Sequence, residues 1–192
     1  QQHMEFLENR FELVSTARVE LTTTFDTFVQ SLPVSDNEAL YNLSLANSRA
    51  RLRMTTLYYF AGIHKYLVAG TGNKIEDFGV GFFTKYGDGG VDLSPIADLT
   101  KTEVYSLAES LGVHEDILNA APTDGLFGDD RSDEDQLGAS YPELEWAMNY
   151  IDRGEKLSKR EREVLVIYQK LNRQNQHKMQ PIPVCQITDD LR

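Results

Sequence analysis

The chain has 192 residues, 30 of them acidic against 19 basic, and a formal net charge of −11 at neutral pH. That length suits one domain with an ordinary core, and the acidic excess, with no basic run to follow a phosphodiester backbone, argues against a nucleic-acid partner. The single cysteine, Cys185, excludes an internal disulfide framework and a multi-cysteine zinc site and fits a reducing, cytoplasmic setting, while no apolar run reaches the roughly 20 residues that span a bilayer.

In chain order, Met4, Leu7 and Phe11 recur at helical spacing, and the alternation over Ala17–Leu21 then predicts a strand. Phe25, Phe28, Val29 and Leu32 mark a short helix closed by Pro33. Ser35 to Glu38 reads as a capping box that opens a long helix reaching about Ala61. Along it Leu43, Ala46, Ala50, Met54, Leu57 and Ala61 step by three or four, a stripe of small and apolar positions suited to a partner helix, with Arg49, Arg51 and Arg53 between them. The apolar run Tyr66–Ala69 passes straight into Gly70-Thr-Gly-Asn-Lys74, as a buried parallel strand does when it meets a loop at its C-terminal end, where open α/β sheets bind ligands. Thr100, Ser140 and Ser158 each precede a glutamate by three positions and predict helix starts, the first of these helices stopping at Gly112. Pro122 to Ser140 carries Asp129, Asp130, Asp133, Glu134 and Asp135 with no apolar period, which predicts a mobile surface loop and a candidate lid. The alternation of helices and strands predicts one α/β domain over residues 1–192 with a mainly parallel sheet.

The stretch Gly81 to Pro95 is the densest in glycine, which marks either an ordinary hairpin or loop, or a backbone forced close to a ligand. Lys74, Lys85, Lys101 and Arg51 are candidates to neutralise phosphates, although a lysine beside a loop is more often simply solvated. Glu76, Asp88 and Asp92 are candidates to hold Mg²⁺ or orient a substrate, against the plain reading of loop carboxylates. Neither His177 nor Cys185 sits in a spacing that supports nucleophilic catalysis.

Seven motifs together, NSRARLRM from Asn47, GTGNK from Gly70, GFFTKYGDGGVD from Gly81, LTKTEVY from Leu99, APTDGL from Ala121, DEDQLGASY from Asp133 and HKMQPIP from His177, resemble the ammonia-dependent NAD synthetases in family order over nearly the whole chain. The resemblance implies a Rossmann-like fold of the adenine nucleotide alpha hydrolase type, a mainly parallel sheet with flanking helices, and a homodimer. It implies ATP-dependent amidation of deamido-NAD to NAD by ammonia through an adenylylated nicotinate, with Mg²⁺ as cofactor and ATP as co-substrate. By the same resemblance Thr71, Lys101 and Thr123 contact ATP, Glu76 binds the metal, and Arg51, Lys85, Asp92, His177 and Lys178 contact deamido-NAD. Asp88 and Lys101 are the implied catalytic residues, Asp88 aligning ammonia.

Two departures from the family pattern stand out. The phosphate-binding run Ser-Gly-Gly-x-Asp-Ser occurs nowhere in the 192 residues. The expectation is that it lies upstream, that the chain corresponds to the fold without its first strand, loop and helix, and that it turns over poorly alone. The stretch between Glu76 and Gly81 is one residue longer than in many members. Two other readings stay open: another amidotransferase of the ATP pyrophosphatase group, and a non-catalytic nucleotide-binding or dimerisation module on the same scaffold.

Overall fold

The computed structural model describes residues 2–123, 125–126 and 132–192. Helix α1 (Gln2–Arg10) and helix α2 (Thr22–Gln30) fall where the spacing of Met4, Leu7, Phe25 and Phe28 predicts them. Between them, Ala17–Leu21 is not a strand. A strand is stable only beside another strand that takes up its N–H and C=O groups, and among the described residues none pairs with this stretch. The long helix α3 (Glu38–His64) is capped by Asn37, whose side chain accepts from the Leu40 N–H at 3.1 Å, rather than by Ser35. It ends on Lys65 in the left-handed conformation at φ 57°. Of the stripe expected to meet a partner helix, Ala46, Ala50 and Ala61 are buried within the chain, while Leu43 and Leu57 stay exposed.

The expected sheet is reduced, among the described residues, to one parallel bridge between Ala69 and Leu93. Gly70 N–H donates to the Leu93 carbonyl at 2.7 Å and Asp92 N–H to the Val68 carbonyl at 2.9 Å. Val68 is buried, but Tyr66 and Leu67 are exposed, so this run is not the fully covered strand its composition suggests. After the Gly70–Lys74 loop the chain makes a π-helix, Lys74–Val80, started by Asn73, which accepts from the N–H groups of Ile75 and Glu76, and stopped by Gly81 at φ 65°. A π-helix closes its hydrogen bonds from residue i to residue i+5, one residue wider than the α-helix. Such a wider turn is what one additional residue between Glu76 and Gly81 would produce.

Helices α4 (Lys101–Ser110), α7 (Tyr141–Asn149) and α8 (Lys159–Met179) start at the predicted boxes on Thr100, Ser140 and Ser158. A short turn, α5 (Glu115–Leu118), follows Gly112, which sits at φ 70°. The acidic segment is not unpatterned throughout: Ser132 and Asp135 form a reciprocal cap for α6 (Asp133–Leu137). Leu137 and Ala139 enter the main core, so this part of the expected mobile loop is anchored; Asp129 and Asp130 lie outside the described residues. The core joins Ile75 and Val80 of the π-helix to Leu137, Tyr141, Leu144 and Ala147, closed by Val164 of α8. No helix among the described residues is long and apolar enough to cross a membrane.

Candidate functional site

The π-helix, the start of α4 and the start of α6 bring Glu76, Lys101 and Asp133 to one cavity of about 460 Å³. Thr71, Glu76, Asp88, Lys101 and Thr123, all expected site residues, line it together with Asp133. Lys101 donates to Glu76 Oε1 at 2.8 Å, and both side chains are largely buried. The Tyr141 hydroxyl lies 2.8 Å from the same Glu76 oxygen and 3.1 Å from Asp133 Oδ2, while the Lys101 ammonium stands 4.8 Å from the tyrosine ring centroid. Burial, and after it the charge of Glu76, pushes the Tyr141 pKa up, so the hydroxyl keeps its proton and serves as a donor. Glu145 of α7 grips the first turn of α4 through the Thr102 N–H and hydroxyl, at 2.9 and 2.8 Å, and so fixes the turn that carries Lys101. Asp77 points back over Gly72, where a Cβ would lie 2.2 Å from its carboxylate oxygens. Burial, then Glu76 and Asp88, raise its pKa to about 6.

A second cavity of about 330 Å³ abuts the first, sharing Phe82, Asp88 and Leu126 with it. Its other walls include Asn47, Phe83, Thr84, Asn175 and Lys178. Asp88 Oδ1 accepts from the Thr84 N–H at 3.0 Å, and the Thr84 hydroxyl donates to Asn47 at 2.7 Å. Asp88 is open to water on the cavity side, yet protein atoms crowd its carboxyl, and this desolvation outweighs its hydrogen bonds and the Lys178 charge to push its pKa up. Lys178 donates to the carbonyls of Gly81 and Phe83, each at 2.8 Å, and burial lowers its pKa against the pull of Asp88.

The remaining expected contacts lie apart from these walls. Arg51 donates to the Lys85 carbonyl at 3.3 Å, and Lys85 donates to the carbonyl of His177, so the three form one chain outside the cavities with the His177 side chain exposed. Asp92 accepts from the Tyr58 hydroxyl at 3.1 Å and the Val68 N–H at 2.8 Å, tying α3 to the bridge. Tyr141 and Asp133 were not among the site residues read from the sequence. Spacing carries no sign that a tyrosine just inside a capping box reaches a glutamate 65 positions earlier.

Glu76 and Asp133 face one cavity and meet at one hydroxyl, a donor set that fits Mg²⁺, which takes one or two carboxylates and fills its shell with phosphate and water. Among the described residues no group of three or more His, Cys, Asp or Glu side chains is arranged for a metal, so an all-protein cage is not what the site offers.

The chain as a whole is similar to known proteins. The NH(3)-dependent NAD(+) synthetase of Carboxydothermus hydrogenoformans is 42% identical over 160 residues, 83% of this chain and 62% of that protein. That of Mesoplasma florum is 45% identical over 127 residues, 66% of this chain and 51% of that protein. The chain thus spans about half to three-fifths of the length of these curated relatives. Among solved structures, an NMN synthetase from Francisella tularensis matches 97% of this chain and 71% of its own at a TM-score of 0.80 and 27% identity. The NAD+ synthetase from Burkholderia pseudomallei matches 82% of this chain and 59% of its own at 0.57 and 28%. These likenesses give the chain the α/β fold of that group. The NAD synthase profile matches residues 4–182, and the chain belongs to the NAD synthase family.

Proposed function

We propose that these residues serve an ATP-dependent amidation in which ammonia converts the nicotinate carboxylate of deamido-NAD to the amide of NAD, with AMP and pyrophosphate released. The observation that supports it most is that Asp88 and Phe82 belong to both cavities, so an activating nucleotide and a carboxylate substrate would meet there. A carboxylate is a poor acyl donor; joined to AMP as a mixed anhydride it gains a good leaving group, and the protein has mainly to position and to neutralise charge. In this reading Lys101, Thr71 and Thr123 hold the nucleotide phosphates in the larger cavity. Lys101 passes one hydrogen bond from Glu76 to a phosphate oxygen. Asp88, at the junction, aligns ammonia and takes its proton. Glu76 with Asp133 would hold Mg²⁺, whose charge offsets that of the phosphates. Arg51, Lys85, Asp92 and His177, outside the two cavities, are proposed to meet the more distant parts of a dinucleotide.

The same reading makes residues 1–192 one domain, treats the Ala69–Leu93 bridge as part of a mainly parallel sheet, and takes the protein to be a cytoplasmic homodimer. Similarity to an NMN synthetase structure at TM-score 0.80 supports a second substrate, the corresponding mononucleotide carboxylate. The test is single-turnover amidation by the complete protein with each carboxylate in competition. Deamido-NAD is expected to be preferred, and consumption of the mononucleotide alone would overturn the dinucleotide reading. Lys101→Ala is expected to slow adenylylation by roughly ten- to a hundred-fold, as loss of a charge-assisted contact of about 1.5–3 kcal/mol requires. An unchanged rate would remove its role.

A further inference from the structure

The last carbonyls of a helix have no partners within it and must find donors elsewhere. Those of the π-helix and the residues after it find them on α8. Asn172 Nδ2 donates to the Gly79 carbonyl, Asn175 Nδ2 to that of Val80, and Lys178 Nζ to those of Gly81 and Phe83, all at 2.8 Å. The donors lie three residues apart and so share one side of α8, while the acceptors are nearly consecutive. Gly81 completes the fit: a Cβ there would stand 2.4 Å from the Asn175 Cβ, so only glycine lets the two segments approach this closely. Gln176 donates to Asn172 Oδ1 at 2.7 Å and orients its amide. The Phe83 ring lies 5.5 Å from the Lys178 ammonium.

We propose that Asn172, Asn175 and Lys178 form a positioning ladder that sets the backbone of residues 79–83, and through it the placement of Phe83, Thr84 and Asp88 on the second cavity, with two of the Lys178 N–H groups given to the protein backbone. An ammonium group has three N–H donors, and two are committed to carbonyls. Asn172 separates this from a direct role in binding. It is a rung of the ladder, yet it is not part of the cavity wall, whereas Asn175 and Lys178 are.

The experiment uses the complete protein and the variants Asn172→Ala, Lys178→Met and Lys178→Arg, with two readouts. Amide hydrogen exchange across residues 82–90 without ligand reports the ladder and is independent of any assigned reaction. Calorimetric binding of deamido-NAD and of ATP, taken separately, rests on the amidation reading. Asn172→Ala and Lys178→Met are each expected to speed exchange in that segment and to weaken deamido-NAD by about tenfold, with ATP little changed, while Lys178→Arg retains much of both. Lys178→Met that weakens binding with exchange as in the parent, together with a silent Asn172→Ala, would make Lys178 a ligand contact and overturn the proposal. Should Lys178→Met not fold, exchange in Asn172→Ala decides alone. Absence of deamido-NAD binding in the parent would count against the amidation reading, and exchange would still decide the ladder.

Discussion

At Gly89 a Cβ would lie 2.3 Å from the Phe83 ring, which is itself a wall of the second cavity. Gly89→Ala is therefore expected to cost about 1–3 kcal/mol, the range for overpacking, because the ring has to leave its place. Urea denaturation reads the loss, and an unchanged midpoint would show that the ring moves freely. The glycine cluster was legible in the sequence as a forced backbone, but which contact forces it was not, since the ring belongs to a residue six positions earlier on a curled loop. The five residues of the larger cavity were legible through family motifs; Asp133 and Tyr141 were not, because what gathers them is packing of α6 and α7 against the π-helix. Lys178 was expected from the family motif as a contact to deamido-NAD; the partners it holds within the chain are carbonyls 95 and 97 positions away, which no local spacing announces.

Among the elements, the helices that announce themselves by a local cap were found where expected: Thr100, Ser140 and Ser158 need only the residue three positions on. The strands were not, because Ala17–Leu21 has the right alternation and no neighbour among the described residues to complete it. Two predictions belong at this scale. Arg160 of α8 makes paired hydrogen bonds to Glu143 of α7 at 2.6 and 2.7 Å, and this partner, foremost, pulls the Glu143 pKa from its ordinary 4.5 to about 2. A depressed carboxylate pKa stabilises the fold above the unfolded value and loses that contribution as pH falls through the folded one. The pair is half exposed, so the expected contribution is below about 1 kcal/mol. The midpoint difference between the parent and Glu143→Gln should be present at pH 7 and shrink between pH 4.5 and 2; a difference flat with pH would exclude the ion pair as its source. The second prediction concerns the π-helix. Deleting Phe78, which is half exposed, should return the turn to α-helical register between the Asn73 cap and Gly81, with a thermal midpoint equal to or above that of the parent. Collapse on deletion would show that the wider turn is required rather than tolerated.

For the whole molecule, Leu57, Tyr59, Ile63, Tyr66 and Leu67 lie exposed at the end of α3 and just beyond it, a concentration of apolar surface that a second copy of the chain would cover. Sedimentation at micromolar concentration is expected to give two chains per particle, with Ile63→Glu shifting it toward one; a monomer for the parent would remove the dimer. The α8 ladder has a further consequence for how the protein is made. It joins residues 79–83 to partners more than ninety positions later. A chain emerges from the ribosome N-terminus first, at roughly 5–20 residues per second. The helix α3 and the glycine-rich loop are thus in solution for several seconds before the residues that fix the loop exist, and a translation product that stops short of Asn172 would carry the loop without the means to set it.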